Sequence, residues 1–249
     1  MSNYIDIQEI EELSLNAFPS LQTQHLDGWI LRFSNGYAKR ANSINPLYDS
    51  QEDIQKKIEE CERIYREKGL KVIYKLTQQV FPKQLDKILE RKGYNVVGVT
   101  SVQCLSLEES ETHMSDKAVI SNQLTDEWFT DFSELNHIDD TDQHTLKQML
   151  KNINTDVCYV RLINNSETIA CGMGVLEDGW LGLYDIVTSE KHRNKGYGME
   201  IVSSILEWGK NHAAKKAYLQ VMLNNKQAIN LYTKSGFVEA YRYWYRITK

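Results

Sequence analysis

No run of apolar residues in this 249-residue chain approaches the roughly 18 that a membrane-spanning helix needs. The opening "MSNYIDIQEIEEL" lacks the basic and apolar regions of a signal peptide. Cys61, Cys104, Cys158 and Cys171 contain no CxxC pair, and a chain of this length needs no disulfide staples, so they read as reduced thiols. Positive charge is not in excess either. With 29 Lys and Arg against 34 Asp and Glu the net charge is −5, which gives the bulk protein no reason to seek nucleic acid or an anionic membrane. What remains is a globular chain, expected in the cytoplasm, long enough for one large domain or two small ones.

Periodicity and turn chemistry divide the chain. Residues 5 to 17 predict an amphipathic helix, and 27 to 33 a strand with Asn35-Gly36 as a turn behind it. Ser50, with Asp53 three residues on, predicts the start of a helix whose apolar face is Ile54, Ile58, Cys61 and Ile64, ended by Gly69. A strand at 71 to 77, a helix opened by Pro82 and a long strand at 95 to 107 follow. "EESETHMSDK" (108 to 117) has almost no apolar residue and is the natural linker. Beyond it the patterns predict two helices to Leu150 and a three-strand meander (157 to 163, 168 to 176, 180 to 188). Its turns are expected at Asn164-Asn165 and Asp178-Gly179. A helix near 198 to 213, a strand at 216 to 223, a helix at 226 to 235 and a last strand at 237 to 247 complete the chain.

The two halves echo each other. "DGW" occurs at 27 to 29 and at 178 to 180, and "KQLDKILERKGY" (83 to 94) lies over "KQAINLYTKSGF" (226 to 237). The shared order of elements predicts an internal structural repeat.

"HRNKGYG" (192 to 198) places two glycines and two cations where a helix must begin. A helix start presents unpaired N–H groups and partial positive charge, a ready site for a phosphate oxygen. Gly196 and Gly198 free the backbone for close approach, and Arg193 and Lys195 add charge. A Rossmann fingerprint fails because Ile201 stands where the third glycine belongs, and no Gly-Lys-Ser/Thr completes a Walker loop. Taken alone, the stretch reads equally as a glycine turn with solvated cations.

Two motifs decide between these readings. "LYDIVTSEKHRNKGYG" and "NKQAINLYTKSGF" closely resemble the strand, the Arg/Gln-x-x-Gly-x-Gly/Ala loop and the Asn-x-x-Ala-x-x-Leu-Tyr-x-x-x-Gly-Phe segment of the GNAT superfamily of N-acetyltransferases. The second match falls on Asn225, Ala228, Leu231, Tyr232, Gly236 and Phe237, and the resemblance covers roughly 118 to 249. It implies an α/β fold of two GNAT-like halves, 1–108 and 118–249, each a mixed and mostly antiparallel sheet flanked by helices. The first half resembles a degenerate copy, with "NGYAKRANSINPL" where the loop belongs.

The resemblance also implies roles. Acetyl-CoA would enter where two parallel strands, here 181 to 188 and 216 to 223, part. Backbone groups of Ile186, Val187 and Thr188 would face the pantetheine arm and thioester. Arg193, Asn194, Lys195, Gly196, Tyr197 and Gly198 would hold the pyrophosphate, and Asn225 would contact the cofactor. Tyr232 would protonate the leaving thiolate, although by spacing alone it reads as core. Many relatives carry a glutamate where this chain has Gln220, so Asp185 is the alternative base, or else a hydrogen-bonded aspartate at the strand end. No metal is required. The acceptor is expected to be an amine of a small molecule, peptide or protein, near the junction of the halves. A non-catalytic acyl-CoA-binding module and an enzyme using an aminoacyl-tRNA donor are the rival readings. "HIDDTDQH" (137 to 144) fits no metal motif and reads as a polar loop that could attract a cationic amine. The terminal "YRYWYRI" reads as a strand with one packed face.

Overall fold

The computed structural model describes residues 5–108 and 110–248. Residues 1–4 of the first expected half, Glu109 of the expected linker and Lys249 of the second half lie outside them. In chain order the elements are α1 (Ile7–Ala17), β1 (Gln22–Leu26), β2 (Trp29–Phe33), β3 (Ile44–Pro46), α2 (Ile54–Glu67), β4 (Ile73–Thr77), α3 (Leu85–Arg91) and β5 (Asn95–Ser106). Then come β6 (Ala118–Ser121), α4 (Asp126–Asn136), α5 (Asp140–Lys151), β7 (Asp156–Asn164), β8 (Glu167–Glu177), β9 (Trp180–Thr188), α6 (Tyr197–Asn211), β10 (Lys216–Met222), α7 (Lys226–Lys234) and β11 (Val238–Ile247). The fold is mixed α/β. No helix among the described residues is long and apolar enough to cross a membrane.

The chain forms two compact units. One takes in the chain up to Ser101 and again from Tyr241; the other is Val102–Ala240. In the first unit β1, β2 and β3 are antiparallel neighbours, β3 runs parallel to β4, and β11 lies antiparallel to β4 from Tyr243↔Thr77 to Ile247↔Ile73. Its core gathers Trp29, Leu31, Ile44, Ile58, Tyr65, Tyr74 and Leu76, all essentially without solvent contact.

Several local expectations shift here, each for a visible reason. Asp27 and Gly28, expected within a strand, form the two-residue turn between β1 and β2, both at positive φ (40° and 80°), as a tight hairpin demands. Asp178 and Gly179 do the same between β8 and β9. The turn after β7 is Asn165-Ser166, one residue later than expected. Asp53, not Ser50, caps α2, its carboxylate accepting from the N–H groups of Gln55 (3.1 Å) and Lys56 (3.0 Å). The Ser50 hydroxyl donates instead to Asp27 (2.7 Å). Helix α3 begins at Leu85 rather than at Pro82.

The last strand sits with the N-terminal unit because its polar side chains find their partners there. Buried Arg246 forks onto the Asp86 carboxylate at 2.8 and 3.0 Å and donates to the Tyr94 carbonyl at 3.0 Å. Trp244 Nε1 also donates to Asp86 (2.8 Å). Tyr241 donates to Glu11 (2.8 Å), which holds the buried Lys75 ammonium at 2.5 Å. Tyr241, Tyr243 and Tyr245 form the packed face.

In the second unit the strand order is β10-β9-β8-β7-β6, antiparallel except for the parallel β9–β10 pair. Helices α6 and α7 cover one face, packing Ile201, Val202, Ile205 and Tyr232 onto Leu181, Leu183, Ala217 and Leu219. On the other face α4 inserts Trp128, whose indole N–H donates to the Val160 carbonyl (3.1 Å) and whose ring meets Tyr159 edge-on. The polar stretch expected to be a linker runs along α6. Thr112 donates to Glu207 (2.5 Å), the His113 N–H to Ser203 (2.9 Å), the Ser115 N–H to Ser204 (3.1 Å), and Lys210 to the Ser110 carbonyl (2.7 Å).

The Arg246 guanidinium, followed by the Trp244 N–H, holds the Asp86 carboxyl below its ordinary value against the opposing effect of burial. A depressed folded pKa contributes stability above the unfolded pKa near 3.8, lost as pH falls through the lower folded value. Asp86→Asn is therefore expected to be less stable than wild type at pH 7, by about 1 kcal/mol after allowing for partial exposure, and the gap should close in acid below about pH 4. Urea melts across pH measure it, and a gap independent of pH counts against the charge pairing.

Candidate active site

The β8–β9 register slips between Cys171 and Met173: Cys171 faces Val187, but Met173 faces Tyr184. Two residues of β9, Asp185 and Ile186, therefore lie opposite Gly172. Asp185 takes up the extra length in the left-handed region (φ 53°). The parallel pairing of β9 with β10 runs from Trp180↔Lys216 to Leu183↔Leu219 and stops there. Both strands continue beyond it. The stretch Ile186–Val187–Thr188 thus keeps an edge that β10 does not fill.

Just at the fork, Tyr184 donates its hydroxyl proton to the Tyr218 hydroxyl at 2.8 Å, and the two rings stand edge to face 6.1 Å apart. They cross over Gly182, where an added Cβ would lie 2.6 Å from the Tyr184 ring and 2.7 Å from Tyr218.

After β9 a short turn (Glu190–His192) leads into α6. Asn194 (φ 61°) and Gly196 (φ 90°) are both left-handed, and Gly196 opens the helix with no side chain capping it. The Met199 and Glu200 N–H groups turn back to the Gly196 carbonyl (2.9 and 3.1 Å), and no side chain caps the Tyr197 and Gly198 N–H groups ahead of them. At Gly198 a Cβ would come within 3.2 Å of Leu231 and 3.9 Å of the Thr188 hydroxyl. The glycine keeps the gap between α6, α7 and β9 from filling.

This gap is a cleft of about 730 Å³. Its wall brings together Ile186, Val187, Thr188, Arg193, Asn194, Gly196, Tyr197, Gly198, Asn225 and Tyr232. Lys195 is exposed and stands off the wall, and so does Asp185. Asp185 is half-buried, and its charge, after burial itself, helps to raise the Tyr159 phenol. Arg193 lies 3.3 Å from Glu190, and Asn194 Oδ1 accepts from Gln227 (3.1 Å). Asn225 has a structural task as well: its Oδ1 accepts from the Ala228 N–H (3.1 Å) and caps α7.

Tyr232 is 9% exposed and meets Phe237 edge-on at 6.1 Å. Burial pushes its phenol up to about 12, so it carries its proton at neutral pH. The core and wall readings of this tyrosine hold together: the ring packs, and the residue lines the cleft.

The sequence reading missed His192, Met199, Gln227, Asn230 and Lys234 on the wall. A signal for part of this set existed. Gln227, Asn230, Leu231 and Lys234 have the 3, 4, 7 spacing of one helix face, with Leu231 already in the motif. His192 and Met199 carry no such pattern. In the acidic stretch, Asp139 caps α5 by accepting from the Asp142 N–H (2.9 Å), and His137 closes α4 in the left-handed region. Among the described residues no group of three His, Cys, Asp or Glu side chains is arranged to hold a metal ion.

The approach to α2 in the N-terminal unit is chemically different, because carboxylates hold both the helix start, through Asp53, and the residues before it. The Asp27 carboxylate accepts from the N–H groups of Gln51 (3.1 Å) and Glu52 (3.0 Å), and the fully buried Lys57 reaches it at 3.1 Å. The Glu52 N–H, Ser50 and Lys57 hold this carboxyl well below the usual carboxylate range.

The model of a family described as "Probable histone acetyltransferase Rv0428c C-terminal" matches residues 5–246. The chain belongs to that family. The N-acetyltransferase YobR of Bacillus subtilis (strain 168) is 28% identical to it over 249 residues, 98% of this chain and 99% of that one. A GCN5-related N-acetyltransferase from Kribbella flavida superposes with a TM-score of 0.73 at 11% identity, covering 98% of this chain and 96% of the other. A tandem GNAT protein from the clavulanic acid biosynthesis pathway gives 0.60 at 11% identity over 75% of this chain and 66% of its own. The fold is that of the GNAT acetyltransferases.

In this GNAT chain the tyrosine fork leaves no room at Gly182. Gly182→Ala is expected to force the rings apart and destabilise the protein by about 1–3 kcal/mol, with a lower Tm. A melting curve superimposable on wild type would show that the rings yield freely.

Proposed function

We propose that the cleft binds acetyl-CoA and that the chain transfers its acetyl group directly to a primary amine. One observation carries this reading: an uncapped, glycine-built helix start opens onto the gap where two parallel strands part. Bound there, acetyl-CoA supplies an acetyl group activated as a thioester. The N–H groups at Gly196 to Gly198 and the side chains of Arg193, Asn194 and Tyr197 face its pyrophosphate. Lys195, off the wall, adds long-range charge. The free edge of Ile186–Thr188 receives the pantetheine arm as an added strand is received, and an N–H near Val187 polarises the thioester carbonyl. Asn225 borders the cofactor while capping α7.

The amine nitrogen attacks the thioester carbon and the C–S bond breaks. Tyr232 gives its phenolic proton to the departing sulfur, and Asp185 accepts the proton the amine loses. A phenol held near 12 is protonated when the reaction needs it. Asp185 stands on the bulge one residue before Ile186, which places the proposed base next to the strand edge that receives the thioester.

We further infer that the N-terminal half is a degenerate repeat of the same fold. In each unit a strand runs parallel to the one that follows the next helix, β3 to β4 and β9 to β10, and in each an Asp-Gly turn precedes a tryptophan strand. The start of α2 is capped by the Asp53 carboxylate, with Asp27 holding the two N–H groups before it, which supports assigning the cofactor to the C-terminal unit alone.

Calorimetric titration with acetyl-CoA tests the cleft. Wild type is expected to bind, and Gly198→Glu, which puts a carboxylate into the gap, to lose at least tenfold (about 1.4 kcal/mol) in affinity. Absence of binding by wild type would sink the reading.

Turnover of a panel of amines tests the acid and the base. Tyr232→Phe is expected to lower kcat by about 10²-fold with acetyl-CoA affinity nearly intact. Asp185→Asn should lower turnover likewise without weakening acetyl-CoA, and unchanged turnover in either variant removes that residue from the chemistry.

A further inference from the structure

The segment that the sequence offers as a linker runs along α6, the helix whose start borders the cleft. Glu200 lies in the first turn of that helix, about 6 Å along the axis from Gly196. A carboxylate there suits the helix dipole, but it also stands where it repels any anion brought to the helix start. The structure neutralises it from outside the helix. Ser115 donates its hydroxyl to Glu200 Oε2 at 2.8 Å, and the Lys117 ammonium stands 3.5 Å from the same oxygen. That ammonium is also 5.9 Å from the centre of the Tyr197 ring, the side chain on the cleft wall. The Lys117 side chain remains 38% exposed, so its charge is not consumed by a buried pair. The segment is fixed in this position by its hydrogen bonds to Ser203, Ser204 and Glu207 along α6.

We propose that Lys117 is a positioning residue for the phosphate end of the donor. It cancels the charge of Glu200 beside the helix start and steadies Tyr197, which makes the 110–117 segment part of the cofactor site. The inference rests on the acetyl-CoA reading of the cleft and adds a residue from an element outside both motifs. It concerns a polyphosphate-bearing ligand specifically, because only the charge of the phosphates feels an uncancelled Glu200.

The test is the acetyl-CoA dissociation constant of wild type, Lys117→Gln, Glu200→Gln and the double variant, with S-acetylpantetheine as a donor that has the thioester but no phosphate. At about 50 mM salt Lys117→Gln is expected to bind acetyl-CoA roughly tenfold more weakly, and the loss should shrink as salt rises. Removing Glu200 as well should restore affinity to within about threefold, because the repelling charge is gone. Affinity for S-acetylpantetheine should not move in any variant. Lys117→Arg, which keeps the charge, should bind like wild type and guards against a Lys117→Gln protein that folds poorly. Two results overturn the proposal: unchanged acetyl-CoA affinity in Lys117→Gln, or a loss that Glu200→Gln does not rescue and that S-acetylpantetheine shares. If wild type binds S-acetylpantetheine and acetyl-CoA equally, the cleft reading survives and the phosphate role of Lys117 falls. If wild type binds neither, the cleft reading itself has failed.

Discussion

The arrangement depends on the premature end of one strand pairing. After Leu183↔Leu219 the parallel ladder between β9 and β10 stops, because the extra residue at Asp185 has turned β9 away from its neighbour. A parallel pair buried on both faces has no energetic reason to open unless something holds it open. Here three features do so. The bulge re-aims β9, the Tyr184–Tyr218 pair props the fork, and the glycine at 198 denies the neighbouring helix a side chain that would close it. Backbone polar groups that a sheet would normally satisfy are left facing a cleft.

That cleft has the electrostatic character of its rim. Helix α6, like the short α3, begins without a side-chain cap, whereas α1, α2, α4, α5 and α7 each have a side chain accepting from their first turn. Capping is worth about 1 kcal/mol to a helix, so leaving the start of α6 bare is a local cost that a bound anion would offset. The apolar face of α6 compensates meanwhile: Ile201, Val202, Ile205 and Leu206 are buried against the sheet.

Much of this was legible in the sequence, and the failures have physical causes. Long periodic segments such as α1, α6 and the β7–β9 meander were readable because burial on one face imposes a period. The wall of the cleft was readable through the GNAT resemblance, since its glycines and its asparagine–tyrosine helix occupy fixed spacings. Strand β1 was not, because "QTQHL" is an exposed edge with no buried alternation. The placement of β11 with the N-terminal unit was equally hidden. Its cause is a set of long-range pairs, Arg246 with Asp86 and Tyr241 with Glu11, which no local window contains. The stretch 110–117 looked like a linker because it is polar. In fact its polarity is spent on hydrogen bonds to α6.

The carboxylate at the start of α2 gives the two units different relations to solute. In the N-terminal unit the anion that the helix start calls for is covalently part of the chain: Asp53 caps α2, and Asp27 from the β1–β2 turn holds the Gln51 and Glu52 N–H groups just before it. Its effective concentration is set by the fold and does not change with what is dissolved around it. The start of α6 has no side-chain cap, and a ligand that bound there in the folded state alone would add stability in proportion to RT ln(1 + [L]/Kd). If acetyl-CoA binds as proposed, the Val102–Ala240 unit is the one whose resistance to unfolding would rise and fall with its supply.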